Sequence, residues 1–155
     1  MLLAKNLLFT LVVPGTVAVY LPYRLARPLA PGPAALASAL PLFFLGAAVY
    51  AWCVWDFATF GRGTPAPVDP PRRLVVRGLF RRVRNPMYLG VLTVLLGWLV
   101  LAPGRDLAAY LAGTWLVFHS VVVLYEEPRL HSHFGADYDR YAARVGRWLP
   151  RLRPR

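Results

Sequence analysis

Four stretches of the chain, residues 7–21, 34–54, 87–101 and 107–124, carry almost no charge, and the charged positions gather between them. Each approaches the ~20 apolar residues with which a helix crosses a hydrocarbon core, the third being the shortest. The pattern predicts an all-α integral membrane protein with about four transmembrane helices and no room for a soluble domain. Beyond the last stretch the period changes. Pro128 suits the first turn of a helix, and Leu130, Phe134, Tyr138, Tyr141 and Val145 recur at helical spacing with His133, Asp139, Arg140 and Arg144 on the other side. A C-terminal amphipathic helix is expected there, lying on the membrane surface or capping a site that opens on it, with an interruption at Gly135. Trp148, close to its end, reads as an interfacial anchor.

The breaks between the stretches order the chain. Residues 61–71 read Gly-Arg-Gly-Thr-Pro-Ala-Pro-Val-Asp-Pro-Pro, an extended segment that cannot be helical. It separates an N-terminal pair of transmembrane helices, residues 1–60, from residues 61–155, which hold a basic loop, a transmembrane hairpin and the C-terminal segment. Within that hairpin the turn Ala102-Pro103-Gly104-Arg105-Asp106 is so short that the third and fourth helices must run antiparallel and touch. Asn85 to Tyr88 at the start of one and Glu126 with Glu127 at the end of the other are then neighbours. No internal repeat is visible.

Charge sets the expected orientation. The formal net charge is +11 although 57% of the residues are hydrophobic, so the two properties must be segregated. Between Gly61 and Asn85 stand Arg62, Arg72, Arg73, Arg77, Arg81, Arg82 and Arg84 against Asp69 alone, and such a loop stays on the cytoplasmic side. Four crossings then put both termini and the acidic pair on that side as well, with Arg24 and Arg27 opposing the rule. The arginines flank bilayer segments, where anionic membrane lipids are their partners, and no nucleic-acid module accompanies them. A removable leader is disfavoured because Pro14 and Gly15 break the first apolar run early, and small residues resembling a cleavage site come only after Pro22, Arg24 and Arg27. The lone Cys53 reads as packing.

Acidic side chains at the end of a membrane-length helix are costly to desolvate, so Glu126 and Glu127 are first read as a site. The plain alternative is a solvated helix end paired with Arg129 and Arg144, with Arg81 to Arg84 marking the membrane border. His131 and His133 do not make a metal site, for no third histidine or cysteine lies near them. Gly61-Arg62-Gly63 follows no strand and opens no helix, so it is no dinucleotide loop.

The run Arg72-Arg73-Leu74-Val75-Val76-Arg77-Gly78-Leu79-Phe80, followed by Arg84-Asn85-Pro86-Met87-Tyr88-Leu89-Gly90, Glu126-Glu127, Phe134-Gly135, Tyr138, Tyr141 and Trp148-Leu149-Pro150, resembles the isoprenylcysteine carboxyl methyltransferase family. The related membrane phospholipid N-methyltransferases are similar in outline. The resemblance covers roughly residues 61–150 and implies an integral membrane enzyme that uses S-adenosylmethionine. It implies cofactor contacts from Arg72, Arg73, Leu74, Val75, Phe80, Asn85, Pro86, Met87, Tyr88 and Glu126, with Glu127 in support. The chemistry agrees: a carboxylate accepts hydrogen bonds from a ribose or an ammonium group, and aromatic rings pack on adenine or near a sulfonium. Departures from the family are Asn85 for histidine, Phe80 for tyrosine, and Val122 where prenylcysteine-modifying members carry an arginine. His119 is then the nearest polar side chain. The acceptor is expected to be a lipophilic small molecule or lipid entering from the bilayer. A carboxylate of the prenylcysteine kind needs no base, whereas a phospholipid-type amine must first lose a proton, and Glu127 or His119 would matter there. The rival of another class is a non-catalytic four-helix membrane scaffold.

Overall fold

The structure, a computed structural model, describes residues 12–26, 30–61 and 74–151. Its helices are α1 (Leu21–Leu25), continuous with a wide π-helical turn at Thr16–Tyr20; α2 (Pro33–Asp56), which runs on through a second wide turn at Phe57–Gly61; α3 (Pro86–Leu101); α4 (Arg105–Val121), extended by a third wide turn at Val122–Glu126; α5 (Glu127–Phe134); and α6 (Ala136–Arg144). A short 3₁₀ turn, Gly78–Arg81, precedes α3. The described residues contain no strand, only an isolated parallel bridge between Val83 and Gly146.

Two of these helices are long and apolar enough to cross a membrane, Pro33–Phe60 with 28 residues and Arg105–Phe134 with 30, and Pro86–Leu101 is apolar but shorter. Only 11% of the apolar window in each long helix is buried inside the protein. Side chains such as Phe44, Trp55, Leu116 and Leu124 are left outside, a surface that suits lipid and not water. Of the four expected crossings the described residues therefore contain two full-length helices and a shorter third. The first apolar stretch lies partly outside the described residues, as do the proline-rich segment 62–71 and the Arg153–Arg155 tail.

Among the described residues, α2 and α3 form the most extensive contact. Their axes meet at glycines: a Cβ added to Gly46 would come within 2.5 Å of the Gly90 carbonyl oxygen, and one on Gly90 within 2.9 Å of that of Gly46. In lipid, where apolar surface gains nothing from leaving its solvent, such close backbone approach is what holds helices together. The indole of Trp98 donates to the Ala18 carbonyl at 2.9 Å and the Tyr110 hydroxyl to that of Val17 at 2.8 Å, which ties the wide turn before α1 to α3 and α4.

α3 and α4 are joined by residues 102–104 alone and lie antiparallel in contact. The expected interruption falls at Gly135, whose φ of +51° suits glycine and divides α5 from α6. The apolar stripe then turns inward. Tyr138, Tyr141 and Val145 are buried together with Leu130, Phe134 and Leu74 against them, so the stripe packs on the protein's own side chains.

Candidate functional site

The ends of α3 and α4 build the site. Pro86 opens α3 with a fixed φ and no N–H to leave unpaired, and its buried ring seats the helix start. On the first turn Tyr88 faces α4, its ring 4.5 Å from that of Phe118. The tyrosine hydroxyl donates a hydrogen bond to the Glu126 carboxylate. Glu126 closes the wide turn at the end of α4, where the Glu127 amide reaches back five residues to the Val122 carbonyl. Pro128, which has no N–H to continue the α-helical ladder, follows at once. Wide turns of this kind gather at functional positions.

Adjacent residues on a helix point about 100° apart, and the two acids therefore have different partners. Glu127 looks toward the C-terminal segment. Arg147 donates to both of its carboxylate oxygens, from Nε at 2.7 Å and from Nη2 at 2.8 Å, and Arg84 stands 3.3 Å away. The plain alternative paired the acids with Arg129 and Arg144; Arg129 instead donates to the hydroxyl of Tyr125, one turn back on its own helix. Backbone contacts support the same clamp. The Arg84 amide donates to the Gly146 carbonyl at 2.8 Å and the Asn85 side-chain nitrogen to the Arg147 carbonyl at 3.1 Å.

Trp148 packs against the ends of α3 and α4. Its indole N–H donates to His119 Nδ1 at 3.1 Å, and its ring lies between His119, at 6.2 Å, and Tyr88, at 6.4 Å. Trp115 also stacks on His119, at 5.4 Å. An indole can only donate, so Nδ1 accepts and a neutral His119 carries its proton on Nε2.

Beside the Tyr88–Glu126 pair is a cavity of about 120 Å³. Of the expected cofactor contacts, Leu74, Val75, Phe80, Asn85, Met87, Tyr88 and Glu126 line it. Pro86, Glu127 and His119 do not, and Arg72 and Arg73 lie outside the described residues. Phe57, Arg84, Leu130 and Tyr141 line it as well. Tyr141 and Leu130 were visible as members of the amphipathic stripe, and Arg84 as part of the basic run. Phe57 had no local signal, since only the packing of α2 on α3 brings it there. The Tyr141 hydroxyl donates to the Phe80 carbonyl at 2.7 Å, and burial raises its pKa above the ordinary tyrosine value, with Arg84 partly offsetting the effect. The pKa of Tyr138, which accepts from Arg84 at 3.2 Å, is raised by burial in the same way.

The arrangement offers one carboxylate in a mostly apolar, aromatic pocket and a second carboxylate neutralised by guanidinium groups next to it. Such a pocket can take an organic cation bearing hydroxyl groups. No curated protein and no solved structure matches the chain. Residues 34–137, from α2 through the acidic pair into α6, match the family described as phospholipid methyltransferase. That match spans most of the chain, and the protein belongs to this family of membrane methyltransferases.

Proposed function

We propose that this protein is a multi-pass membrane enzyme that transfers a methyl group from S-adenosylmethionine to a lipophilic acceptor, with its site at the cytoplasmic end of the helices. The observation that carries the reading is the hydrogen bond from Tyr88 to Glu126, made where the start of α3 meets the end of α4 and bordering the cavity. The residues fit the cofactor. Glu126 is an acceptor for ribose hydroxyls or the ammonium group, Phe80 and Tyr88 present aromatic surface to adenine, and Asn85 keeps its side-chain oxygen as a further acceptor. The cavity of about 120 Å³ takes part of such a ligand, for whole-ligand pockets run to about 300–1,000 Å³. Arg72 and Arg73 belong to the same reading as further contacts.

Bound S-adenosylmethionine supplies an electrophilic methyl group. The chain's own contribution is alignment of the acceptor and exclusion of water, both served by the cap of α5, α6 and Trp148. Glu127, held on both oxygens by Arg147, acts as the strut that keeps this cap in place. His119 is the remaining candidate to accept a proton from an amine acceptor; because Nε2 of the neutral ring already bears its proton, it would do so at Nδ1, in place of the bond from Trp148. The lipophilic acceptor reaches the site from the bilayer.

The sequence motifs favour a carboxylate acceptor of the prenylcysteine kind. One observation favours the phospholipid-type amine instead: Val122, at the position where a carboxylate-binding arginine would stand, is 1% exposed and does not line the cavity. Titration of S-adenosylmethionine into the protein in lipid nanodiscs, beside Glu126→Ala, tests the reading. Saturable binding lost in the variant is expected, and labelled-methyl transfer to the two acceptor classes then decides between them. Unchanged affinity in Glu126→Ala overturns the assignment, and absence of binding to the folded wild type returns the scaffold reading.

A further inference from the structure

Asp56 is the one charged or polar residue that counts as fully buried among the described residues, at 1% exposure, and it sits in the last turn of an otherwise apolar membrane helix. A carboxylate in that place is expensive unless a specific partner holds it. The partner comes from the loop ahead of α3. Arg77 Nε lies 3.5 Å from Asp56 Oδ1, and the same guanidinium covers the Phe60 ring at 3.5 Å from its centroid. The other oxygen, Oδ2, is buried without a hydrogen-bond partner. Directly over it stands Gly78 with φ +53°, where a Cβ would come within 2.5 Å of Oδ2 and 2.9 Å of the Trp52 indole nitrogen. Asp56, Arg77, Phe60 and Gly78 thus fit one another at a single point, and that point joins α2 to the loop.

The loop concerned is a wall of the candidate site. Val75 and Phe80, two and three residues from Arg77, are buried against Cys53 of α2 and line the cavity. Phe57, next to Asp56, lines the cavity too, with its ring 5.4 Å from Phe80 in an edge-to-face contact. We propose that the Asp56–Arg77 pair is a latch that positions the Leu74–Arg84 loop for cofactor binding, which makes the N-terminal half of the chain part of the site. Asp56 is a positioning residue, acting through the loop. The proposal rests on the methyltransferase reading for its ligand, though the latch itself does not.

Two measurements on the full chain in nanodiscs separate these. Hydrogen exchange of the amides of residues 74–84 needs no cofactor. Asp56→Asn and Arg77→Gln are both expected to speed it, and the double variant, which leaves no buried carboxylate without its partner, guards against a fold lost to an unpaired charge. The dissociation constant for S-adenosylmethionine is expected to rise about tenfold in each single variant and no further in the double variant, because the two residues form one interaction. Thermal unfolding checks that each variant is folded at the assay temperature, so that a general loss of stability is not read as a loss of binding. Unchanged loop exchange in both variants overturns the latch. Faster exchange with unchanged affinity, or additive effects in the double variant, overturns its positioning role. If the folded wild type binds no S-adenosylmethionine, the methyltransferase reading falls, and loop exchange alone still decides whether the latch exists.

Discussion

At the scale of the residue, the two neighbouring glutamates divide their work by direction. Glu126 meets Tyr88 at the cavity, while Glu127 is spent on Arg147 and Arg84. Glu127→Gln keeps the shape of the side chain and removes the charge, so docking of the C-terminal segment is expected to weaken by about 2 kcal/mol. Arg147→Ala is expected to do the same, and the double variant no more than either alone. The fluorescence of Trp148 reads the outcome, since release of the segment takes that indole away from His119. A spectrum unchanged in both single variants would remove the strut from the account. The positions of both acids were legible in the sequence because a charge at the end of an apolar helix stands out without any structure. Their partners were not: Arg129 and Arg144 are nearer in sequence, yet the carboxylate faces Arg147.

At the scale of the element, the contact between α2 and α3 depends on glycine where no side chain fits. Gly90→Leu would drive a side chain into the backbone of α2, which has no rotamer to give way, and a loss of about 3 kcal/mol is expected. Gly113→Ala, with nothing within 4 Å of its added Cβ, is the control and should cost nothing. Thermal unfolding in one detergent compares the two, and equal midpoints would show that the helices do not meet as described. The cap makes a pH prediction. Burial raises the Tyr141 pKa in the folded protein above its unfolded value of about 10, so the folded state holds the proton more tightly. That contribution is complete below about pH 10 and is lost as the pH rises past it, with Tyr138 acting in the same direction. The cap is therefore expected to detach in alkali. Tyr141→Phe should cost about 1 kcal/mol at neutral pH, through the lost bond to the Phe80 carbonyl, while shrinking the alkaline loss. A pH profile of Trp148 fluorescence identical in wild type and variant would exclude Tyr141 as its source.

At the scale of the whole molecule, lipid-facing helices end in a polar cluster that brings Tyr88, Glu126, Glu127, Arg84 and Arg147 together. The all-α class, the membrane-length helices and the meeting of Tyr88 with Glu126 were legible in the chain itself. Apolar run length, the segregation of arginine and a three-residue link between helices are local properties, and each admits few solutions in a bilayer. The expected division at the proline-rich segment set the first 60 residues apart from the site, whereas Phe57, just past the end of α2, lines the cavity. The inward turn of the C-terminal stripe, the wedge of Trp148 against His119 and the crossing at Gly46 and Gly90 belong to the tertiary structure alone. Each of these depends on the rotation of one helix about its axis relative to another. Such rotations are set by packing between segments far apart in sequence, and no single segment records them.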